Sequence, residues 1–222
     1  MLKAKQIIDN PRSYLSLYSD FVFNSGDWSV SNSGTGSGSS YVGNFPGRCG
    51  VLRLAPGTAT GWARIGDTIN GILTYFDVGN WYYRSSIMLP VLSNATDSYY
   101  LGVGFMQQTN FANNQLMVKY SDASPNFETL IRTTGNADII IPSGVPAVAN
   151  TWYNIELEVV NSGTQVITRI NDVVSSLTTT LAQLPSTLTN PGQFIQNIAG
   201  SSAARFMNVD YTQLACRFNS PR

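Results

Sequence analysis

The chain has 222 residues, with 13 Lys plus Arg against 13 Asp plus Glu, and so no formal net charge. Only 12% of residues are charged and 43% are hydrophobic, which excludes a disordered chain and gives no global pull toward nucleic acid or an anionic membrane. The count of 0 histidines removes the Ser-His-Asp triad, the Cys-His dyad and every histidine-ligated metal site.

The first twenty residues differ from the rest. Ala4 to Asp9 has the composition for one or two helical turns, which Asn10-Pro11 stops because the residue before proline is pushed out of the α region. The segment lacks an unbroken apolar core, so no signal peptide is expected, and no apolar run approaches the ~20 residues of a membrane span. A chain made in the cytosol that stays soluble or leaves by lysis is the expectation. Tyr14, Leu15, Leu17 and Tyr18 are apolar anchors without a clear period; they fit an arm packed on its own domain or one docked on a neighbouring subunit.

Phe21 to Val30 opens the domain proper. Ser31 to Ser40 is a Ser/Gly tract, either a mobile loop or a weak edge strand. Strands are then predicted at Val51 to Leu54, Thr60 to Ile65, Ile72 to Phe76 and Trp81 to Leu89, with turns at Asn44 to Gly47 and Pro56-Gly57. Tyr99 to Met106 is a continuous apolar run whose Gly102 and Gly104 suggest close backbone approach. Gln115 to Tyr120, Phe127 to Arg132 and Ala137 to Ile141 follow, the last bounded by Pro142.

Trp152 to Val174 carries the strongest periodicity. Tyr153, Ile155, Leu157 and Val159 alternate with Asn154, Glu156 and Glu158, the period of a strand with one buried and one wet face. Asn161-Ser162-Gly163 and Asn171-Asp172 supply reversals into Val166 to Ile170 and then Val173-Val174, an antiparallel meander. Leu177 to Thr189 reads as a connection with one helical turn before Pro185. Phe194 to Ala199 and Phe206 to Leu214 close the domain, the last alternating Met207, Val209 and Tyr211 against Asn208, Asp210 and Thr212, before a tail from Arg217. About a dozen short strands and no long helix are the pattern of a sandwich or jelly roll.

Chemistry is sparse. No phosphate-cradling glycine motif occurs. Glutamate occurs only at Glu128, Glu156 and Glu158; the last two share a strand face but read as solvated residues on a wet face, not as an acid/base pair. Cys49 and Cys216 read as two buried thiols, with a single bridge between early and late strands as the alternative. Aromatics remain. The adjacent pairs Trp81-Tyr82 and Tyr99-Tyr100 each place one ring on either face of a strand, leaving one outside for a subunit, a glycan or a second sheet.

Several stretches together resemble a family. Asn44-Phe45-Pro46-Gly47 with Gly57-Thr58-Ala59-Thr60-Gly61 resembles the NHPG…TGTTATG signature of concanavalin A-like domains in tailed-phage structural proteins, with Phe45 in place of the histidine. Met88 to Asp97 is similar to its RLPxLSTATD segment, Ala149 to Tyr153 with Arg169-Ile170-Asn171 to its AGTWY…INGT meander, and Ala199 to Arg205 with Val209-Asp210-Tyr211 to its SAGTTAR…VDY close. The resemblance implies an all-β, concanavalin A-like jelly-roll sandwich of two antiparallel sheets over 21–222, with a short N-terminal arm over 1–20. It implies no enzyme; from the residues themselves no cofactor and no metal is expected, Asp97, Asp122 and Asp210 sitting apart in the sequence. It implies a phage virion structural protein, foremost a capsid decoration or cement protein on the capsid exterior. Its partners are then the major capsid protein or other virion proteins, and its own copies as a homo-oligomer, a trimer being favoured. The alternative is a host-glycan-binding module of a tail or head fibre. The expected contact residues are Tyr14, Leu17, Trp62, Trp81 and Tyr99.

Overall fold

The computed structural model describes residues 14–21, 28–43, 45–48, 50–58, 60–66, 75–107, 113–185, 189–200 and 205–219. The turns expected within Ala4 to Asp9, Cys49, most of the Ile72 to Phe76 strand, and Asn44, Ala59 and Ser201 to Ala204 of the motifs lie outside them. The described elements are β1 (Tyr14–Ser19), β2 (Ser29–Ser33), β3 (Gly38–Tyr41), β4 (Leu52–Ala55), β5 (Trp62–Gly66), β6 (Gly79–Met88), β7 (Tyr99–Met106) and β8 (Gln115–Ser121). They continue with β9 (Ser124–Arg132), β10 (Ile139–Pro146), β11 (Trp152–Val160), β12 (Gln165–Ile170), β13 (Val173–Thr178), β14 (Asn190–Asn197) and β15 (Met207–Phe218).

Every pairing is antiparallel. The larger sheet has 8 strands in the order β13-β12-β11-β6-β15-β4-β3, with β1 also lying on β15. The smaller has 7, in the order β10-β9-β8-β7-β14-β5-β2. The sheets close over one apolar core, to which the larger contributes Tyr83, Ile87, Ile155, Leu157 and Leu214, and the smaller Ile65, Leu101, Val103, Phe105 and Val118. This is the sandwich that the alternation and short strands predict.

Local chemistry explains where the chain turns. Asn171 (φ 47°) and Asp172 (φ 70°) both adopt the left-handed conformation of a two-residue hairpin turn whose twist matches its strands. A 3-10 turn at Leu181–Gln183 is closed by a capping box from Thr180 and Gln183, the helical turn expected before Pro185. Gly104 has φ 148°, and a Cβ there would lie 2.6 Å from the Leu116 carbonyl oxygen. The close backbone approach read from the two glycines holds at Gly104; at Gly102 the space is taken by the Met117 and Phe194 side chains.

Other details decide between the sequence expectations or differ from them. Tyr14–Ser19 is a strand of the larger sheet, with Tyr14 opposite Arg217 and Ser19 opposite Thr212. The Ser/Gly tract supplies two edge strands, β2 in one sheet and β3 in the other. β10 runs past Pro142 to Pro146, with a register shift between them. It stands at a sheet edge, where proline's missing N–H interrupts no ladder. Leu177 and Thr178 belong to β13, and β15 continues to Phe218. Most consequential is a bulge between Val209 and Tyr211. It inserts a residue, so Val209 faces the core, Tyr211 turns outward, and Thr212, Leu214 and Cys216 return inward. Simple alternation puts Tyr211 on the wrong face.

Candidate functional site

The alternation that buries Tyr153, Ile155, Leu157 and Val159 sends Trp152, Asn154, Glu156 and Glu158 to the outer face of the larger sheet. Register then sets their neighbours. Trp152 lies opposite Met88, Asn154 opposite Ser86, and Glu156 opposite Arg84. On the far side of β6, Tyr211 lies opposite Ser86 and Gln213 opposite Arg84. β1 extends the row with Tyr18, opposite Gln213.

Aromatic rings and guanidinium groups interleave along this face. The Arg48 guanidinium lies 3.8 Å from the Trp152 ring centroid, and Phe45 meets the same indole edge-on at 5.6 Å. Arg48 also pairs with Asp210, on the bulge, and donates to the Ser86 hydroxyl at 3.0 Å. Tyr18 and Tyr211 stack with centroids 6.2 Å apart, and the Arg84 guanidinium sits 5.4 Å from the Tyr211 ring. Arg84 pairs with Glu156 at 3.1 Å, and Arg169 reaches Glu158 at 2.9 Å and Glu156 at 3.9 Å. The two glutamates are therefore not solvated wet-face residues. Glu158 is only 8% exposed, and both are built into a cross-strand charge ladder.

Half-burial shifts the groups within this row. Burial pushes the Tyr82 phenol far above its ordinary value, and the neighbouring Glu156 adds to the effect. Burial likewise raises the Tyr211 phenol. It also raises the Asp210 carboxyl, against the opposing pull of Arg48. The face thus presents planar rings, guanidinium donors, amide groups and carboxylate acceptors along an open surface. Among the described residues, no group of three or more acidic or thiol side chains is placed to hold a metal ion.

The five contact residues expected from sequence are not brought together. Tyr99 is 0% exposed, its hydroxyl donating to the Val91 carbonyl at 2.8 Å, and Trp81 is 3% exposed with its indole N–H on the Tyr75 carbonyl at 2.8 Å. Each adjacent pair does split across its strand, but the outward members are Tyr82 and Tyr100. Leu17 packs against the core, opposite Leu214. Trp62 is half-buried on the outer side of the smaller sheet, beside Gln196. Tyr14 lies opposite Arg217 at the start of β1. Sequence reading missed Arg48, Arg84 and Tyr211. The outward register of Trp152 was legible from the meander, but pairing across β6 and the bulge was not.

No protein-family model matches the sequence, and no curated protein sequence matches it. Solved structures do. A protein of unknown function from Shewanella oneidensis MR-1 aligns with TM-score 0.66 at 12% identity, over 100% of this chain and 97% of that one. Peanut lectin aligns with TM-score 0.59 at 9% identity, over 93% and 99%. Endo-1,3-beta-glucanase from Streptomyces sioyaensis aligns with TM-score 0.58 at 14% identity, over 93% and 97%. The fold is the concanavalin A-like jelly roll of lectins and glucanases. One expectation is overturned. The resemblance implied no enzyme, yet structures of this fold include that glucanase and the alginate lyase A1-II′, with TM-score 0.54. The fold is shared by enzymes and lectins alike, and does not exclude catalysis.

Proposed function

We propose that the protein recognises carbohydrate along the outer face of the larger sheet. The observation that carries this reading is the interleaved row of Trp152, Arg48, Tyr211, Tyr18 and Arg84, in which Tyr18 is 55% exposed. A sugar ring offers an apolar face and a rim of hydroxyls. Tyr18 supplies a flat partner for the first, and Asn154, Glu156 and Gln213 supply donors and acceptors for the second. The row is open and crosses several strands, which suits an extended oligosaccharide over a small enclosed ligand. The lectins, glucanase and alginate lyase of the same fold support a saccharide as ligand class. Screening the purified protein against immobilised polysaccharides tests this. A binding saccharide should lose about three- to tenfold in affinity with Tyr18→Ala, the range for one stacked ring. Unchanged affinity in that variant would remove the site.

A second reading keeps the virion role, with the chain as a capsid decoration protein in a homo-oligomer on the particle exterior. What favours it is β13, the edge strand of the larger sheet among the described strands, which exposes Val173 at 49% and Val174 at 58%. Adding the protein to phage heads stripped of decoration tests it, with Val174→Lys as the variant. Saturable loading of trimers, abolished by that charge, supports the reading; a monomer that leaves heads bare overturns it.

A further inference from the structure

The charges along the outer face of the larger sheet bear on which saccharide it can take. Register places one line of residues across the strands: Tyr18 opposite Gln213, Gln213 opposite Arg84, Arg84 opposite Glu156, and Glu156 opposite Arg169. Neighbouring strands lie about 4.8 Å apart, so Tyr18 stands roughly 14 Å from Glu156, within the span of a short oligosaccharide. The three guanidinium groups along this line each have an anion already. Arg84 pairs with Glu156 at 3.1 Å, Arg169 with Glu158 at 2.9 Å and with Glu156 at 3.9 Å, and Arg48 with Asp210. The carboxylates are poorly exposed, with 18% of the Glu156 side chain, 10% of Glu158 and 16% of Asp210 open to water, so salt screens them weakly.

Two more arginines share the face but stand clear of the line. Arg53 lies opposite Asn208 on β4, its guanidinium 3.8 Å from the Phe206 ring centroid. Arg217 lies farther along β15 than Gln213, about 13 Å away for four residues of strand. Exposed Asp20 adds a further anion beside Asp210. A carboxylate on a sugar held at Tyr18 therefore meets a line whose charges cancel. Above Arg84 it comes within one strand spacing of Glu156, a like charge. To take Arg84 for itself it must displace Glu156, leaving that half-buried carboxylate with Arg169 alone. A hydroxymethyl group in the same place has neither cost, since its hydroxyl can donate to Glu156 and accept from Arg84.

We propose that this face selects neutral saccharides and rejects uronic acids, with Glu156 as the residue that sets the preference. Selection of this kind works by repelling the wrong ligand, without any contact that the right one alone can make. It rests on the carbohydrate reading above and narrows its ligand class.

Matched ligands test it on the full chain. A β-1,4-mannose hexamer and a β-1,4-mannuronate hexamer differ only at C6, hydroxymethyl in one and carboxylate in the other, as do cellohexaose and a β-1,4-glucuronate hexamer. Calorimetric titration at low ionic strength should give the neutral member of a pair about tenfold or greater advantage in affinity. Raising salt from about 20 to about 200 mM should move the neutral Kd by less than about twofold. Glu156→Gln should tighten the uronate about three- to tenfold and leave its neutral counterpart within about twofold. The double variant Glu156→Gln/Arg84→Gln removes both charges of the pair and should return the neutral preference, with thermal melts confirming that each variant is folded. A uronate that binds as tightly as its neutral counterpart, or a ratio unmoved by Glu156→Gln in a folded variant, overturns the proposal. Uronate binding that is lost with Tyr18→Ala overturns neutral selection and keeps the sheet-face reading. A neutral preference untouched by Tyr18→Ala removes the sheet-face reading, and with it Glu156 as the selecting residue. Failure of every hexamer to bind removes both.

Discussion

Tyr83 carries a hydroxyl into the middle of the sandwich, and the fold accommodates it with a short polar chain between sheets. It donates to Gln193 Oε1 on β14, and Gln193 Nε2 donates to the Thr212 hydroxyl on β15 at 2.8 Å. All three side chains are 0% exposed, and burial pushes the Tyr83 phenol far above its ordinary value. A second cross-sheet contact joins the Thr129 and Thr168 hydroxyls at 2.8 Å. Tyr83→Phe should therefore cost about 1–3 kcal/mol, the penalty of leaving Gln193 Oε1 buried without a donor. Chemical denaturation of Tyr83→Phe, Gln193→Leu and the double variant checks this. The double change should cost clearly less than the two single costs combined, and strict additivity would show that the chain of hydroxyl and amide is not a unit. At this scale the sequence was half legible. Alternation and aromatic content placed rings in the core, but which ring of Trp81-Tyr82 or Tyr99-Tyr100 faced out depended on register with strands far along the chain.

Among the elements, β1 and the β9–β10 pair make opposite demands on experiment. Leu15 and Leu17 of β1 pack against the core, and the strand runs antiparallel along β15. Deleting residues 1–19 should lower the thermal midpoint by several degrees, because two partly buried leucines and a row of ladder bonds are lost. A truncated chain that melts with the full one would mean that β1 adds nothing to the sheet. Where β9 meets the approach to β10, Arg132 grips Asp138 through Nε at 2.7 Å and Nη2 at 2.5 Å. Those hydrogen bonds hold the Asp138 carboxyl below its ordinary value. A depressed carboxyl contributes stability above the ordinary value of about 4, and that contribution disappears as pH falls through the depressed one. Asp138→Asn should accordingly lose less stability than the parent between pH 6 and about 3, read from thermal melts. A parallel loss in both proteins would assign the acid sensitivity elsewhere. The meander β11–β13 was legible because its alternation is unbroken and its turns use Asn, Gly and Asp. The bulge in β15 was not, since nothing in Val209-Asp210-Tyr211 marks an extra residue until β6 is set beside it.

Across the whole molecule, strand content and the order of motifs were enough to reach the jelly roll, while the candidate face needed the sheet. Arg48 comes from a turn, Tyr18 from β1, Arg84 from β6 and Tyr211 from β15, and only the ladder gathers them. The same ladder governs the order in which the molecule can be completed. β15 is downstream of every other described strand, yet it lies inside the larger sheet, with β6 along one side and β4 and β1 along the other. During synthesis the smaller sheet has all its strands before β15 emerges, whereas the larger one waits as separate pieces. Folding is then gated by the arrival of one late strand, with the long loop closures that slow all-β proteins. Hydrogen exchange pulsed during refolding should find amides of β1, β4 and β6 that bond to β15 gaining protection together and last, after β7 to β9. Early protection of β1 would break that sequence of events. The nascent chain meanwhile carries open strand edges, so synthesis without chaperones should aggregate more than refolding of the finished chain at equal concentration.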